Sequence, residues 1–238
     1  MTTPHYSVII PLKDEADNIQ PLIEELMPVM EGLGKPWEVL CIDDGSTDGT
    51  TEIIRRLAAE HSCLRPLFFT RNYGQSSAFD AGFRHAKGDY IISLDGDRQN
   101  DPADIPKLIH AMEEADLVCG TRIKRRDNWW RRIVSRSGNA VRRKVCQDGM
   151  RDNNCSLKAY RRSCLQKIKM YEGMHRFLPA LFKIEGFRVC EVPVNHRERT
   201  KGKSKYNMLN RGVNTVFDLF AVLWMRKRHL SYQTVDEQ

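Results

Sequence analysis

Short apolar runs rich in β-branched residues recur through the first half of the chain: YSVIIP at 6–11, WEVLCID at 37–43, RPLFFT at 65–70, YIISLD at 90–95 and ADLVCG at 115–120. Runs of this length and composition predict strands buried on both faces of a sheet. Between them lie amphipathic stretches of helical length at about 17–31, 49–60, 76–86 and 102–114. The last opens with Pro102 directly after Asp101, where a carboxylate can cap the helix and a proline sits at a position whose N–H has no partner to lose. A strand-like segment, FRVCEVPV, follows at 187–194. The alternation predicts an α/β fold with a mainly parallel central sheet.

In such folds ligands sit beyond the carboxyl ends of the strands. The acidic clusters fall there: Asp14-Glu15 after the first strand, DDGSTDGT at 43–50 after the second, and DGD at 95–97 after the fourth. Three strand ends therefore address one crevice. At a strand end that turns at Gly96, Asp95 and Asp97 can converge on one hard cation. An acidic turn closing a buried strand is the alternative.

The 238 residues are enough for one sizeable core, read as a single domain with a C-terminal appendage. A net charge of +7 points to an anionic partner: nucleic acid, a phosphorylated small molecule or an acidic membrane surface. The positive charge is concentrated beyond residue 120, from Arg122 through Arg131 and Arg136 to Lys144, and again in NHRERTKGKSKY at 195–206. A solvated basic helix accounts for the first cluster as an alternative to anion binding, whereas Gly202 and Ser204 in the second suggest a flexible phosphate-gripping loop rather than a helix. The seven cysteines show no C-x-x-C spacing and no secretory leader is present, so reduced thiols in the cytosol are expected. A nucleic-acid-binding protein would leave the three acidic strand ends unexplained, and no recognised binding motif is present.

The segment GVNTVFDLFAVLWMRKRH at 212–229 is apolar for about four turns and ends in Arg226, Lys227, Arg228 and His229. As a helix it would be roughly 20 Å long, short of a hydrocarbon core of about 30 Å. Val213, Val216, Phe217, Phe220, Leu223 and Trp224 can share one face, while Asp218 disfavours full insertion. An amphipathic helix lying in a membrane interface is expected, with packing on the domain or a dimer contact as alternatives.

Together SVIIPLKDEADNI, VLCIDDGSTDGT, SLDGDRQNDP, CGTR and HRERTKGKSKY resemble the inverting nucleotide-sugar glycosyltransferases of the GT-A fold. More narrowly they resemble the polyprenyl-phosphate glycosyltransferases, of the dolichol-phosphate mannose synthase type. That family usually reads N-E where this chain has Asp14-Glu15, and many of its members carry transmembrane helices after the catalytic domain. The resemblance implies a GT-A catalytic domain over residues 1–205 and a C-terminal amphipathic helix and tail over 206–238.

It also implies roles. Pro11, Glu15, Ile42 and Asp44 would hold the base and ribose of the donor. Asp95, Asp97 and Gln99 would hold Mg²⁺ or Mn²⁺ against the donor diphosphate. Arg122, Arg131 and Ser135 would hold the acceptor phosphate, and Arg199, Ser204 and Lys205 would close over donor and acceptor phosphates. Asp97, Arg122 and Arg199 are then the catalytic candidates, Asp152 and Lys158 are weaker site candidates, and His196 is an orienting residue. The implied reaction moves a monosaccharide from GDP-mannose or a UDP-hexose to polyprenyl phosphate by single displacement, without a dedicated general base. Transfer to a sugar hydroxyl and a non-catalytic nucleotide-sugar-binding scaffold are the alternatives. The expected partners are the donor, the lipid phosphate and a membrane surface, with no nucleic acid and with a homodimer or a separate membrane protein left open. The expected location is cytoplasmic, peripheral on the cytoplasmic face of a membrane.

Overall fold

A computed structural model describes residues 3–123, 145–152, 155–198 and 208–232. Its first half alternates strand and helix: β1 (Tyr6–Leu12), α1 (Ala16–Gly32), β2 (Trp37–Asp43), α2 (Thr50–Glu60), β3 (Leu64–Phe68), α3 (Gln75–His85) and β4 (Tyr90–Ser93). A 3₁₀ turn at Pro102–Asp104 leads into α4 (Ile105–Ala111), then β5 (Leu117–Arg122). The rest comprises β6 (Lys158–Arg161), α5 (Arg162–Leu165), α6 (Leu178–Ile184), β7 (Val189–Val194) and α7 (Met208–Arg228).

The strands form a seven-stranded sheet in the order β3-β2-β1-β4-β6-β5-β7. Every pairing is parallel except those of β6, which runs antiparallel to both β4 and β5. The expected parallel sheet is thus present with one antiparallel insertion. Along β1, Val8 and Ile10 face a core layer with Ile19, Leu22 and Leu26 of α1, while Ile9 faces the opposite layer with Phe79 and Phe83 of α3. Burial on both faces is why the strand reads as a continuous apolar run.

Several boundaries move. The fourth strand ends at Ser93, so Asp95 lies wholly in the turn. The helix expected over 102–114 opens as 3₁₀ and its α-helical part stops at Ala111. Asp101 does cap it, accepting from the Ala103 amide at 3.1 Å.

The C-terminal helix differs most. It is 21 residues long, about 31 Å at 1.5 Å per residue, so shortness is not what prevents a span. Polarity is: Asp218 sits within it, and among the described residues no helix is long and apolar enough to cross a membrane. Packing on the domain is real for one face. Val222 is fully buried against Cys146, Met174, Phe177 and Leu181, Asp218 pairs with Arg176 at 2.9 Å, and Arg226 donates to the Val145 carbonyl at 2.7 Å. Val216, Phe217, Phe220 and Trp224 lie on the other side, exposed by 51%, 69%, 66% and 64%.

Gly45 shows how tightly the β2 end is built. Its φ is +68°, and an added Cβ would lie 2.5 Å from the Arg71 carbonyl carbon. Gly45→Ala must therefore strain the backbone and push the 69–74 loop away. The expected loss is about 1–3 kcal/mol of stability, read as a fall in the midpoint of denaturant unfolding.

Candidate donor and metal site

Because β1, β2 and β4 are parallel, their carboxyl ends open on one edge, with Leu12 level with Asp43 and Ile9 level with Ser93. The turn after β1 is laced to the turn after β2. The Asp14 amide donates to Ser46 Oγ at 2.8 Å, and the Thr47 amide donates to Asp14 Oδ1 at 2.8 Å. The Glu15 amide donates to Thr50 Oγ1 at 2.8 Å, and Lys13 Nζ to the Gly45 carbonyl at 2.7 Å. The carboxylate at position 14, where the resembling family has asparagine, thus has a local use as an amide acceptor. Pro11 and Ile42 are level with one another beneath this floor.

Asp44 is buried and accepts the Tyr73 and Gly74 amides at 2.6 and 2.9 Å. Burial pushes its carboxyl above the usual aspartate range, against those two amides and the Lys13 ammonium, which pull it down. Asp48 goes the other way. Burial raises it, but hydrogen bonds from Thr50 and the Ala16 amide outweigh that and leave it below the usual range. Neighbouring Asp43 accepts from the Ser46 amide at 2.9 Å and from the Thr51 hydroxyl.

The D-G-D turn lies against the same floor. A Cβ on Gly96 would come within 2.4 Å of Leu12 Cδ2, with Glu15 Cγ at 3.6 Å, so the glycine lets this turn close over β1. Asp97 is buried and its Oδ1 accepts the Gln99 amide at 3.1 Å. Asp95 is half-buried and meets Gln75 Nε2 at 3.4 Å. Among the described residues no group of three or more His, Cys, Asp or Glu could hold a metal alone. Two carboxylates in one short turn nevertheless suit a small hard cation of the Mg²⁺ type, which takes one or two carboxylates and completes its shell with substrate phosphates and water.

Beyond the floor, residues 195–197 run alongside this turn: Asn100 bridges His196 in antiparallel fashion, and the Arg197 amide donates to the Gln99 carbonyl at 2.8 Å. The segment that precedes the second basic cluster is therefore attached to the D-G-D turn, a contact between residues about a hundred positions apart that no local sequence pattern announces. Arg122, at the end of β5, makes a bidentate pair with Asp152, Nε–Oδ2 at 2.6 Å and Nη2–Oδ1 at 2.8 Å. Lys158 is buried on β6 and donates to the Cys155 carbonyl at 2.6 Å. Arg131, Ser135, Arg199, Ser204 and Lys205 lie outside the described residues. All seven cysteines are free thiols, and burial pushes Cys41 and Cys119 up to about 12, so neither supplies a thiolate near neutral pH.

A mostly parallel α/β sheet whose carboxyl edge gathers three acidic strand ends has the architecture of the GT-A nucleotide-sugar transferases. The Glycosyl transferase family 2 profile matches residues 7–169, and the chain belongs to that family. It is 38% identical over 219 residues to the undecaprenyl-phosphate 4-deoxy-4-formamido-L-arabinose transferase of Edwardsiella ictaluri, covering 91% of this chain and 67% of the relative. The glucosyl-3-phosphoglycerate synthase of Mycobacterium tuberculosis, solved with Mn²⁺, UDP and glucosyl-3-phosphoglycerate, superimposes with a TM-score of 0.67 at 20% identity, over 94% of this chain and 80% of that one. A mannosyltransferase from Pyrobaculum calidifontis, solved with GDP-Man and Mn²⁺, gives 0.64 at 23% identity, over 93% and 64%. These two structures share the fold.

The two displaced aspartates make a measurable pair. Carboxyl titration followed by NMR should place the Asp44 midpoint above the unfolded-chain value of about 3.9 and the Asp48 midpoint below it. With Asp44 the folded state holds its proton longer, so that group's contribution to stability falls as pH rises from the unfolded value through the folded one. Asp48 contributes stability above the unfolded value, and this is lost as pH falls through its lowered folded value. A reversed order of the two midpoints would refute the burial argument.

Proposed function

We propose that this family 2 glycosyltransferase moves a monosaccharide from a nucleotide sugar to the phosphate of a polyprenyl phosphate, with inversion at the anomeric carbon. The observation that carries the acceptor is the 38% identity, across 91% of the chain, to a transferase named for undecaprenyl phosphate. The convergence of Asp44, Asp95 and Asp97 on one sheet edge supports the donor side. GDP-mannose and UDP-hexoses both suit that edge.

In this reading Asp44, Glu15, Pro11 and Ile42 line the base and ribose position. Asp95, Asp97 and Gln99 would hold Mg²⁺ or Mn²⁺, which when bound would supply positive charge against the nucleoside diphosphate leaving group. A phosphate monoester is already ionised near neutral pH, so its oxygen attacks without a protein base. Two anionic groups must meet, and their repulsion amounts to several kcal/mol at low effective dielectric. Arg122 is neutralised by Asp152, so it orients a phosphate oxygen by hydrogen bonding and adds little net charge. The compensating cations are Arg131, Arg199 and Lys205, with Ser135 and Ser204 donating hydrogen bonds.

The lipid acceptor places the protein at a membrane surface, peripheral on the cytoplasmic face. The exposed Val216, Phe217, Phe220 and Trp224 of α7, followed by Lys227 and Arg228, suit an anionic bilayer interface.

Incubating purified protein with polyprenyl phosphate and a panel of nucleotide sugars should yield a lipid-linked sugar from one donor; label appearing only on sugar hydroxyl acceptors would overturn the acceptor assignment. Asp97→Ala and EDTA should each reduce that turnover on the order of a thousandfold. Arg131→Ala should raise the lipid requirement far more than the donor requirement.

Deleting α7 would uncover the cluster around Val222, so the membrane contact is better tested by Phe217→Glu with Trp224→Glu. That double variant should melt like the parent yet bind anionic liposomes at least about tenfold more weakly. Unchanged liposome binding would leave the exposed face to a dimer or a separate membrane protein.

A further inference from the structure

Glu25 projects from α1 and belongs to no motif, yet it receives two guanidinium groups from two neighbouring segments. Arg98 donates to Oε1 and Arg197 to Oε2. Arg98 directly follows Asp97, and Arg197 lies two residues before Arg199 in the chain. Arg197 also reaches Asp101 Oδ1 at 2.8 Å. Its backbone runs beside the metal turn through the bond to the Gln99 carbonyl and the Asn100–His196 bridge, and the Asn195 amide donates to Asp104 Oδ2 at 2.6 Å. Arg98 holds a φ of +60°, a left-handed conformation that a residue with a Cβ keeps only when its surroundings enforce it.

Stability is a poor explanation of this cluster. The Glu25 and Arg98 side chains are each 29% exposed and that of Arg197 is 40%, and ion pairs at such positions contribute little to folding. Geometry is a better one, because a single carboxylate spans the turn that carries Asp95 and Asp97 and the segment that leads into the second basic cluster. We propose that Glu25 is a positioning residue for the transfer reaction, tying the turn that carries Asp95 and Asp97 to residues 195–197 so that the two carboxylates are held where a cation and the donor diphosphate would meet. The proposal rests on the donor half of the reading above and adds to it a residue outside every motif.

The test uses the full chain and Glu25→Gln, which preserves size and removes the charge that holds both guanidinium groups. Calorimetry of UDP and of GDP in the presence of Mn²⁺, without any acceptor, should show nucleotide affinity reduced about tenfold or more. Affinity for the nucleotide without metal should change much less, and the melting temperature should stay within a few degrees of the parent. Arg98→Ala should match it, and the double variant should be no worse than either alone, since both remove one linkage. In the transfer assay kcat should fall along with metal affinity, while the lipid KM stays near that of the parent. A variant that melts lower but binds Mn²⁺-nucleotide like the parent would reduce Glu25 to a structural ion pair and overturn the proposal. Because the binding arm needs no acceptor, a protein that binds Mn²⁺-nucleotide through Glu25 but fails to glycosylate polyprenyl phosphate would refute the acceptor reading and leave this one standing. Binding of neither nucleotide by the parent would refute both.

Discussion

Packing several carboxylates onto one edge of a sheet is the constraint around which the rest of this protein is organised. Asp14, Asp43, Asp44, Asp48, Asp95 and Asp97 occupy the ends of three adjacent parallel strands or the turns they enter. Like charges at such spacing repel, and burial makes the charged form costlier still. The fold answers with backbone amides: those of Thr47, Ser46, Tyr73, Gly74, Ala16, Thr50 and Gln99 each donate to one of these carboxylates. Glycines at 45 and 96 permit the close approach that brings those amides within reach.

The same constraint separates two kinds of carboxylate. Asp14, Asp43 and Asp48 have their lone pairs engaged in stitching the β1 and β2 turns together, and they serve as scaffold. Asp95 meets the Gln75 side chain and Asp97 accepts the Gln99 amide, within the turn that follows β4. The sheet edge is thus a stitched floor with the D-G-D turn at its rim. Residues 195–197, which lead into the second basic cluster, are fastened to that rim through Gln99, Asn100 and Glu25.

Helix α7 packs on the domain by one face only. Its apolar residues are too many for one contact, and they divide. Val222, Leu219 and Met225 turn inward to a small core with Met174, Phe177 and Leu181, while Phe217, Phe220 and Trp224 turn out. The Arg176–Asp218 pair sits at the junction, and Asp218 packs so closely on Gly173 that a Cβ there would lie 2.4 Å from its carboxylate. The helix is therefore docked in a fixed rotation, and that rotation leaves the aromatic residues facing away from the domain.

Along the chain itself, periodicity determined the α/β class, the first five strands and the acidic crevice, because doubly buried strands need uninterrupted apolar runs and their polar residues can only collect at the ends. The D-x-D turn and the basic clusters were legible for the same reason: each is a local departure from the composition around it. Strand β6 was not legible. Lys158–Arg161 is four residues, three of them polar or aromatic, and only its place between β4 and β5 makes it a strand. Nor could the chain reveal that Arg122 is paired with Asp152, that Glu25 joins Arg98 to Arg197, or which face of α7 is covered. Each of these joins residues distant in sequence, and a side chain's partner is decided by which strands and helices the fold sets side by side, a quantity that no window of neighbouring residues contains.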